Sequence, residues 1–368
     1  MKTIVLSGVN LFRGGTLKVM QECIEALSNF AGDQYKIIAL VHNAEQHPNY
    51  PNVSYIAFPK SRNSYLYRLY YEYIGFRKLS KRLKPYMWFS MHDATPNVVA
   101  EKRVVYCHNP FPFYKAGLKD FILQRNIFFL SILSKYIYRI NIKKNDYVIV
   151  QQEWMREAFR KMFAINNIVV AMPVFPDFAK EEVWLIRSES EDKTTVFFFP
   201  ATSIIHKNFE LICEAAILLE KDDSLDFSVL LTIDGTEDKY AKWLYKKYHS
   251  LKTVKFIGFL NREEMNFYYQ TCDCLVFPSK SETWGLPISE AKEYDIPALL
   301  SDLPYARETI GKYDKVKFFN PGSARQLADE MKSFIQGTIV YDETKEIIYN
   351  EPITWNWDEL VRFLLLNQ

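Results

Sequence analysis

The sequence predicts an α/β protein built from two parallel sheets, each wrapped by helices, and three observations carry that expectation. The chain's 368 residues exceed what one hydrophobic core usually organises, and at roughly 150 residues per domain they imply two cores. Short β-branched and aromatic runs alternate with amphipathic helical segments, the pattern of a parallel sheet whose crossovers are helices. That alternation begins again after a polar stretch at residues 187–193.

Taken in order, the first series opens with a strand at residues 3–7, a helix at 17–30 and a strand at 36–41, and continues with strands at 104–107 and 147–151. The second series opens with a buried strand at 195–199, followed by a helix that puts Phe209, Ile212, Cys213, Ala216 and Leu219 on one face. Further strands are expected at 227–233, 254–257, 274–277 and 298–301, with helical or loop material such as 262–271 between them. Residues 355–366 have helical apolar spacing after Pro352 and read as a closing helix. The expected division is therefore 1–180, 181–352 and a C-terminal helix in 353–368 that can return to the first domain. Neither an internal repeat nor a low-complexity tract interrupts this pattern.

Composition narrows the class. With 48% hydrophobic and 24% charged residues, the chain reads as an ordinary globular protein, not as a disordered or integral membrane one. The net charge of +2 conceals an asymmetry, because residues 1–180 hold 25 Lys+Arg against 12 Asp+Glu and the remainder 21 against 32. Such a split points to an anionic partner for the first half or to attraction between the halves. Cys23, Cys107, Cys213, Cys272 and Cys274 are odd in number and lack zinc or CxxC spacing, so they read as free thiols of a reducing cytoplasm. The opening apolar run breaks at Asn10 and Arg13 without a cleavage pattern. No run approaches the ~20 apolar residues of a spanning helix, since the longest, near 127–138, is interrupted by Ser131, Ser134 and Lys135. A soluble or peripheral protein is expected.

The richest chemical segment is residues 279–290, directly after the apolar run 274–277. Pro287 suits the first turn of a helix, which places Gly285 and Leu286 at a helix start whose outward amides suit phosphate. Glu282 precedes that turn and Glu290 lies about one turn inside the helix, so the two carboxylates can address opposite ends of an anionic ligand and accept from sugar hydroxyls. On spacing alone, capping and solvated-face roles fit both equally well. His108 follows the strand at 104–107, and His92 follows another, at strand ends where open α/β sheets bind ligands. Each can equally be a structural histidine. Gly14 and Gly15 connect the opening strand to the first helix and permit close backbone approach. Their spacing is not GxGxxG, which weighs against a dehydrogenase.

Glu282 and Glu290, with seven residues between them and Gly285 among these, together with the preceding strand and Pro278-Ser279, resemble the motif of the retaining glycosyltransferases of family four. The resemblance implies the GT-B fold, two Rossmann-like domains with parallel sheets facing across a cleft; it is strong across residues 195–311, patchy over 1–115 and weak elsewhere. It implies that Glu282 contacts donor-sugar hydroxyls, that Glu290 contacts the nucleotide ribose, and that amides around Gly285 and Leu286 hold the diphosphate. Lys207 resembles the family's phosphate-binding lysine, yet the Arg usual a few residues earlier is replaced by a run from Ala201 to Ile205. Thr202, Ser203 or His206 can donate hydrogen bonds in its stead. Gly258, Phe259 and Leu260 resemble the base-binding loop, where backbone groups meet the nucleobase; Gly258 alone reads as well as a strand-end glycine. Gly14 and Gly15 match the family's glycine-rich loop beneath the donor diphosphate, and His108 resembles the histidine near the reacting carbon in the bacterial surface-polysaccharide branch.

The resemblance thus implies catalytic roles for His108, Lys207 and Glu282, and a retaining transfer of a hexose-type sugar from a nucleotide diphosphate donor to a carbohydrate acceptor, lipid-linked in a membrane setting. The donor base, whether of UDP, GDP or dTDP, stays open. No cofactor beyond the donor is expected, and without a DxD or His cluster no metal is. Two basic stripes interleaved with aromatics, residues 60–84 with eight Lys+Arg and 115–144 with seven, suggest an anionic membrane surface on the inner face of the cell membrane; an acceptor groove or attraction between domains is the competing reading. No nucleic-acid module accompanies the charge. Two rivals stand beside the transferase: a GT-B sugar-nucleotide epimerase, and a non-catalytic partner subunit, which the missing Arg favours.

Overall fold

The computed structural model describes residues 1–32, 34–62, 64–172 and 194–366. Its strands are β1 (Lys2–Ser7), β2 (Tyr35–Val41), β3 (Val53–Ala57), β4 (Met87–Ser90), β5 (Lys102–Cys107), β6 (Tyr147–Val150), β7 (Ile168–Ala171), β8 (Thr195–Phe199), β9 (Phe227–Leu231), β10 (Val254–Phe256), β11 (Cys274–Phe277), β12 (Ala298–Ser301), β13 (Val316–Phe319) and β14 (Ile353–Thr354). The helices are α1 (Gly14–Ala31), α2 (Tyr65–Tyr70), α3 (Phe76–Leu83), α4 (Leu118–Leu123), α5 (Arg125–Arg139), α6 (Glu153–Phe163), α7 (Phe209–Leu219), α8 (Lys239–Tyr248), α9 (Arg262–Thr271), α10 (Leu286–Glu293), α11 (Pro304–Ile310), α12 (Ala324–Ile335) and α13 (Trp357–Leu366). A π-helical turn, Tyr71–Gly75, joins α2 to α3.

The strands form two sheets, in the orders β14-β7-β6-β5-β4-β1-β2-β3 and β10-β9-β8-β11-β12-β13. Every pairing is parallel. Parallel neighbours cannot be joined by hairpins, so helices cross between them and cover both faces, which is why β7, β11 and β12 are buried at every position.

By contacts the chain divides into two units. One comprises Met1–Asn109, Ser134–Phe175 and Tyr349–Gln368; the other comprises Pro110–Leu133 and Pro176–Ile348. The expected division at 180–181 and the polar stretch 187–193 lie outside the described residues. The grouping of 110–133 with the second unit departs from a single crossing between halves. Hydrogen bonds to residues 203–239 and ring contacts on His206 tie this segment there.

In the first unit alternate residues of β1 serve two cores: Ile4 and Leu6 face α1 and α13, whereas Val5 packs with Phe76, Leu79 and Trp88. Leu360, Val361, Leu364 and Leu365 of α13 join Met20, Ile24 and Leu27 of α1 in one cluster. Lys102 Nζ donates to the Leu364 carbonyl at 2.8 Å. The closing helix therefore belongs to the first unit, and β14 extends that unit's sheet through Ile353 beside Val170. In the second unit the Phe199 ring packs on Phe209 at 4.7 Å and on Phe277 at 5.7 Å. Each such ring removed from water contributes about 1.5–3 kcal/mol.

Candidate functional site

The turn after β8 is tight and largely self-bonded. Ile204 N–H donates to the Thr202 carbonyl at 2.7 Å and Lys207 N–H to that of Ile204 at 2.8 Å, closing a 3₁₀ turn over Ile205–Lys207. Asn208 then takes a left-handed conformation, φ 63°, which Asn tolerates better than most residues. Its side-chain amide donates to the Pro278 and Pro321 carbonyls at 3.1 and 2.9 Å, tying the turn to the end of β11. Lys280 N–H donates to the His206 carbonyl at 2.8 Å. The His206 ring is buried between Phe111 and Tyr114, and this burial pushes its pKa down to about 4, so it is neutral near pH 7. Thr202 is exposed.

These ties bring Lys207 to Glu282. Lys207 Nζ lies 2.6 Å from Glu282 Oε1, with both side chains largely buried, leaving Oε2 without a donor among the described residues. Three residues on, Gly285 stands at the N-cap of α10 with φ 92° and Pro287 in the first turn. The glycine is required here. A Cβ would strain the backbone and meet Ile288 Cδ1 at 3.2 Å and Phe277 Cε1 at 3.5 Å. Among the described residues neither the Gly285 nor the Leu286 amide meets an acceptor, as expected of a helix start. The same unit thus holds a helix N-terminus with free amides and, three residues before it, a carboxylate that grips an ammonium group.

The third element is the loop after β10. Gly258 has φ 76° and packs by Asp234, its missing Cβ 3.5 Å from Asp234 Oδ2. Phe259 is 85% exposed, and Leu260 is half-buried. Asn261 caps α9 with a reciprocal bond to Glu264. The first residue of α9, Arg262, reaches Glu290 Oε1 at 2.8 Å, while Tyr269 OH donates to Oε2 at 2.6 Å. Both oxygens of Glu290 are therefore engaged, and the carboxylate links α10 to α9, which follows the loop 258–260. Neither Arg262 nor Tyr269 was marked by the sequence, because helical spacing gives no sign of a partner in α10.

Gly14, Gly15 and His108 belong to the first unit. The glycines differ from expectation in lying within the first turn of α1, where a Cβ on either would meet nothing within 4 Å. His108 follows β5, and its N–H donates to Asp93 Oδ1 at 2.8 Å, while its own Nδ1 is buried without a partner. Asp93, with φ 67°, is the residue that fixes this backbone. His92 is not available to a ligand. It is buried 2.5 Å from Glu72 Oε1 in the π-helical turn, and burial holds the His92 pKa well below the usual range and lifts that of Glu72 to about 8. Among the described residues no group of three or more His, Cys, Asp or Glu side chains converges as a metal site.

Two units of parallel sheet with crossover helices make up the GT-B fold. The solved lipopolysaccharide-biosynthesis glycosyltransferase WaaG has this fold, with a TM-score of 0.62 at 13% identity over 99% of this chain and 95% of that one. Residues 181–351 match the family described as glycosyl transferases group 1. That match lies in the second half of the chain, and the family and the curated relatives together support a glycosyltransferase. Among curated proteins it is similar to the O-antigen chain mannosyltransferase RfbU of Salmonella typhimurium, 21% identical over 73% of this chain and 70% of that protein. It also resembles the serotype-specific mannosyltransferase WbdA of Escherichia coli, 29% identical over 41% of this chain but 19% of that much longer protein.

Proposed function

We propose that the protein transfers a hexose, with mannose the first to test, from a nucleoside diphosphate donor to a carbohydrate acceptor during assembly of a bacterial surface polysaccharide. The observation that carries this reading is the 2.6 Å pair between Lys207 and Glu282 three residues ahead of the free amides of Gly285 and Leu286. Lys207 and those amides suit the two phosphates, where charge grows as the bond from sugar C1 to phosphate oxygen breaks. Glu282 Oε2 suits a donor-sugar hydroxyl, Glu290 the ribose and the backbone at 258–260 the base. In this reading the acceptor oxygen bonds to C1 on the face the diphosphate leaves, and the acceptor proton passes to the leaving phosphate oxygen, with retention. His108, Gly14 and Gly15 are assigned to the donor on resemblance, and Thr202 as a hydrogen-bond donor where the family's Arg is missing. In this reading no metal takes part. The names of RfbU and WbdA support mannose and the polysaccharide setting.

The test is donor turnover with GDP-mannose, UDP-glucose, UDP-galactose and dTDP-rhamnose, using parent, Lys207→Ala and Glu282→Ala proteins. Each variant is expected to lose at least about a hundredfold in kcat/KM, the scale of one lost electrostatic stabiliser. Equal rates in all three proteins would remove the assignment, and epimerised donor without transfer would replace it.

We further propose attachment to an anionic membrane surface, which would present a lipid-linked acceptor. In α5 the exposed residues Phe129, Ile132, Leu133 and Tyr136 follow helical spacing, and the exposed Ile140 comes just after its end. On the other stripe Leu66, 76% exposed, Leu69 and Tyr70 lead into the exposed cations Arg77, Lys78, Lys81, Arg82 and Lys84. Among the described residues no helix is long and apolar enough to cross a membrane.

A further inference from the structure

The family match begins at residue 181, yet the Lys207 turn is completed from outside it. We propose that Gln124 is a positioning residue for that turn, so that the donor half of the site depends on a segment of the N-terminal half of the chain; this rests on the donor-binding reading of Lys207.

Gln124 is buried, and its side-chain amide brackets Ile204. Its Nε2 donates to the Ser203 carbonyl at 2.8 Å, and its Oε1 accepts from Ile205 N–H at 2.8 Å. The second Nε2 proton goes to Asp238 Oδ2 at 2.5 Å. Asp238 caps α8, and its Oδ1 accepts from Ser203 Oγ at 2.9 Å and Ala241 N–H at 2.8 Å. These partners use both donors and the acceptor of the amide and admit one orientation, since a flip would set N–H against N–H and oxygen against oxygen.

Gln124 is itself held. Its N–H donates to the Asp120 carbonyl at 2.8 Å, and Asp120 Oδ1 accepts from Tyr114 OH at 2.5 Å. Lys119 Nζ reaches Glu210 Oε1 at 2.6 Å, in the first turn of α7, and Lys239 Nζ reaches the Ile122 carbonyl at 2.7 Å. With Gln124 shortened, the Ser203 carbonyl and the buried Ile205 N–H lose partners two to four residues before Lys207, and the turn is free to relax.

The experiment measures, by calorimetry on the full chain, the Kd of GDP, UDP and dTDP for parent, Gln124→Ala, Gln124→Glu and Gln124→Glu/Asp238→Asn proteins, with melting curves alongside. Gln124→Ala is expected to raise the Kd of whichever nucleotide the parent binds by about tenfold. Gln124→Glu is expected to raise it further by facing Asp238 with a second carboxylate. Adding Asp238→Asn, which keeps a good cap and offers a donor to Glu, should recover most of that second loss, and this rescue tests the idea even if Gln124→Ala does not fold. A lowered melting temperature with an unchanged Kd overturns the proposal, as does a double variant no better than Gln124→Glu. If the parent binds none of the three nucleotides, the donor reading falls and takes this proposal with it, whereas binding that ignores Gln124 sinks this proposal alone.

Discussion

Gly285 carries a strict single-residue demand beside Glu282. Its φ of 92° and the 3.2 Å approach of Ile288 Cδ1 to the place of a Cβ act together. Gly285→Ala is expected to cost about 1–3 kcal/mol, read as a fall in the urea midpoint, and to weaken nucleoside diphosphate binding. A variant as stable as the parent would mean that the turn yields. The resemblance assigns Lys207, in the turn after 195–199, and Glu282, in residues 279–290, to one donor site, and the two stand 2.6 Å apart. Gln124 could not be read in this way. Its partners are 79 and 81 residues distant, and nothing in a basic, aromatic stretch distinguishes a buried amide from a solvated one.

At the scale of elements, the π-helical turn Tyr71–Gly75 buries Glu72 against His92. Burial lifts the Glu72 pKa to about 8 from an unfolded value near 4.5, so the folded state holds a proton that the unfolded chain releases between those values. Stability from this group is therefore complete below about pH 4.5 and is lost as pH rises toward 8. His92, held low by burial, acts oppositely and penalises folding as pH falls below about 6.5. Urea midpoints at pH 5, 6, 7 and 8 are expected to decline less with pH in Glu72→Gln than in the parent; parallel profiles would show that Glu72 does not titrate so. The same scale explains which elements were legible. Residues 195–199, 274–277 and 298–301 are strands at the bounds anticipated, because unbroken apolar runs with polar flanks are buried on both faces; 262–271, left open between helix and loop, is a helix. Of β3, an edge strand with a half-exposed pattern, and β14, two residues long, no sign was read. Both depend on a neighbour to pair with, and local sequence does not name the neighbour.

For the whole molecule, the opposed charges of the two halves, 25 Lys+Arg against 12 Asp+Glu and 21 against 32, bear on what the protein meets. The cationic and apolar stripes predict flotation with liposomes of anionic lipid at low salt, reduced as salt screens the cations. Failure to float at low salt would remove the membrane proposal. The path of the chain has its own consequence. The first unit's sheet gains its edge strand at Ile353–Thr354 and its covering helix at Trp357–Leu366, whereas the second unit's residues end by 348. On a ribosome, the part begun first is thus finished last, and it waits with the apolar edge of β7 uncovered until the rest has emerged. A stop codon near position 350 would therefore injure the N-terminal unit, far from the lesion in sequence, and would show itself as aggregation.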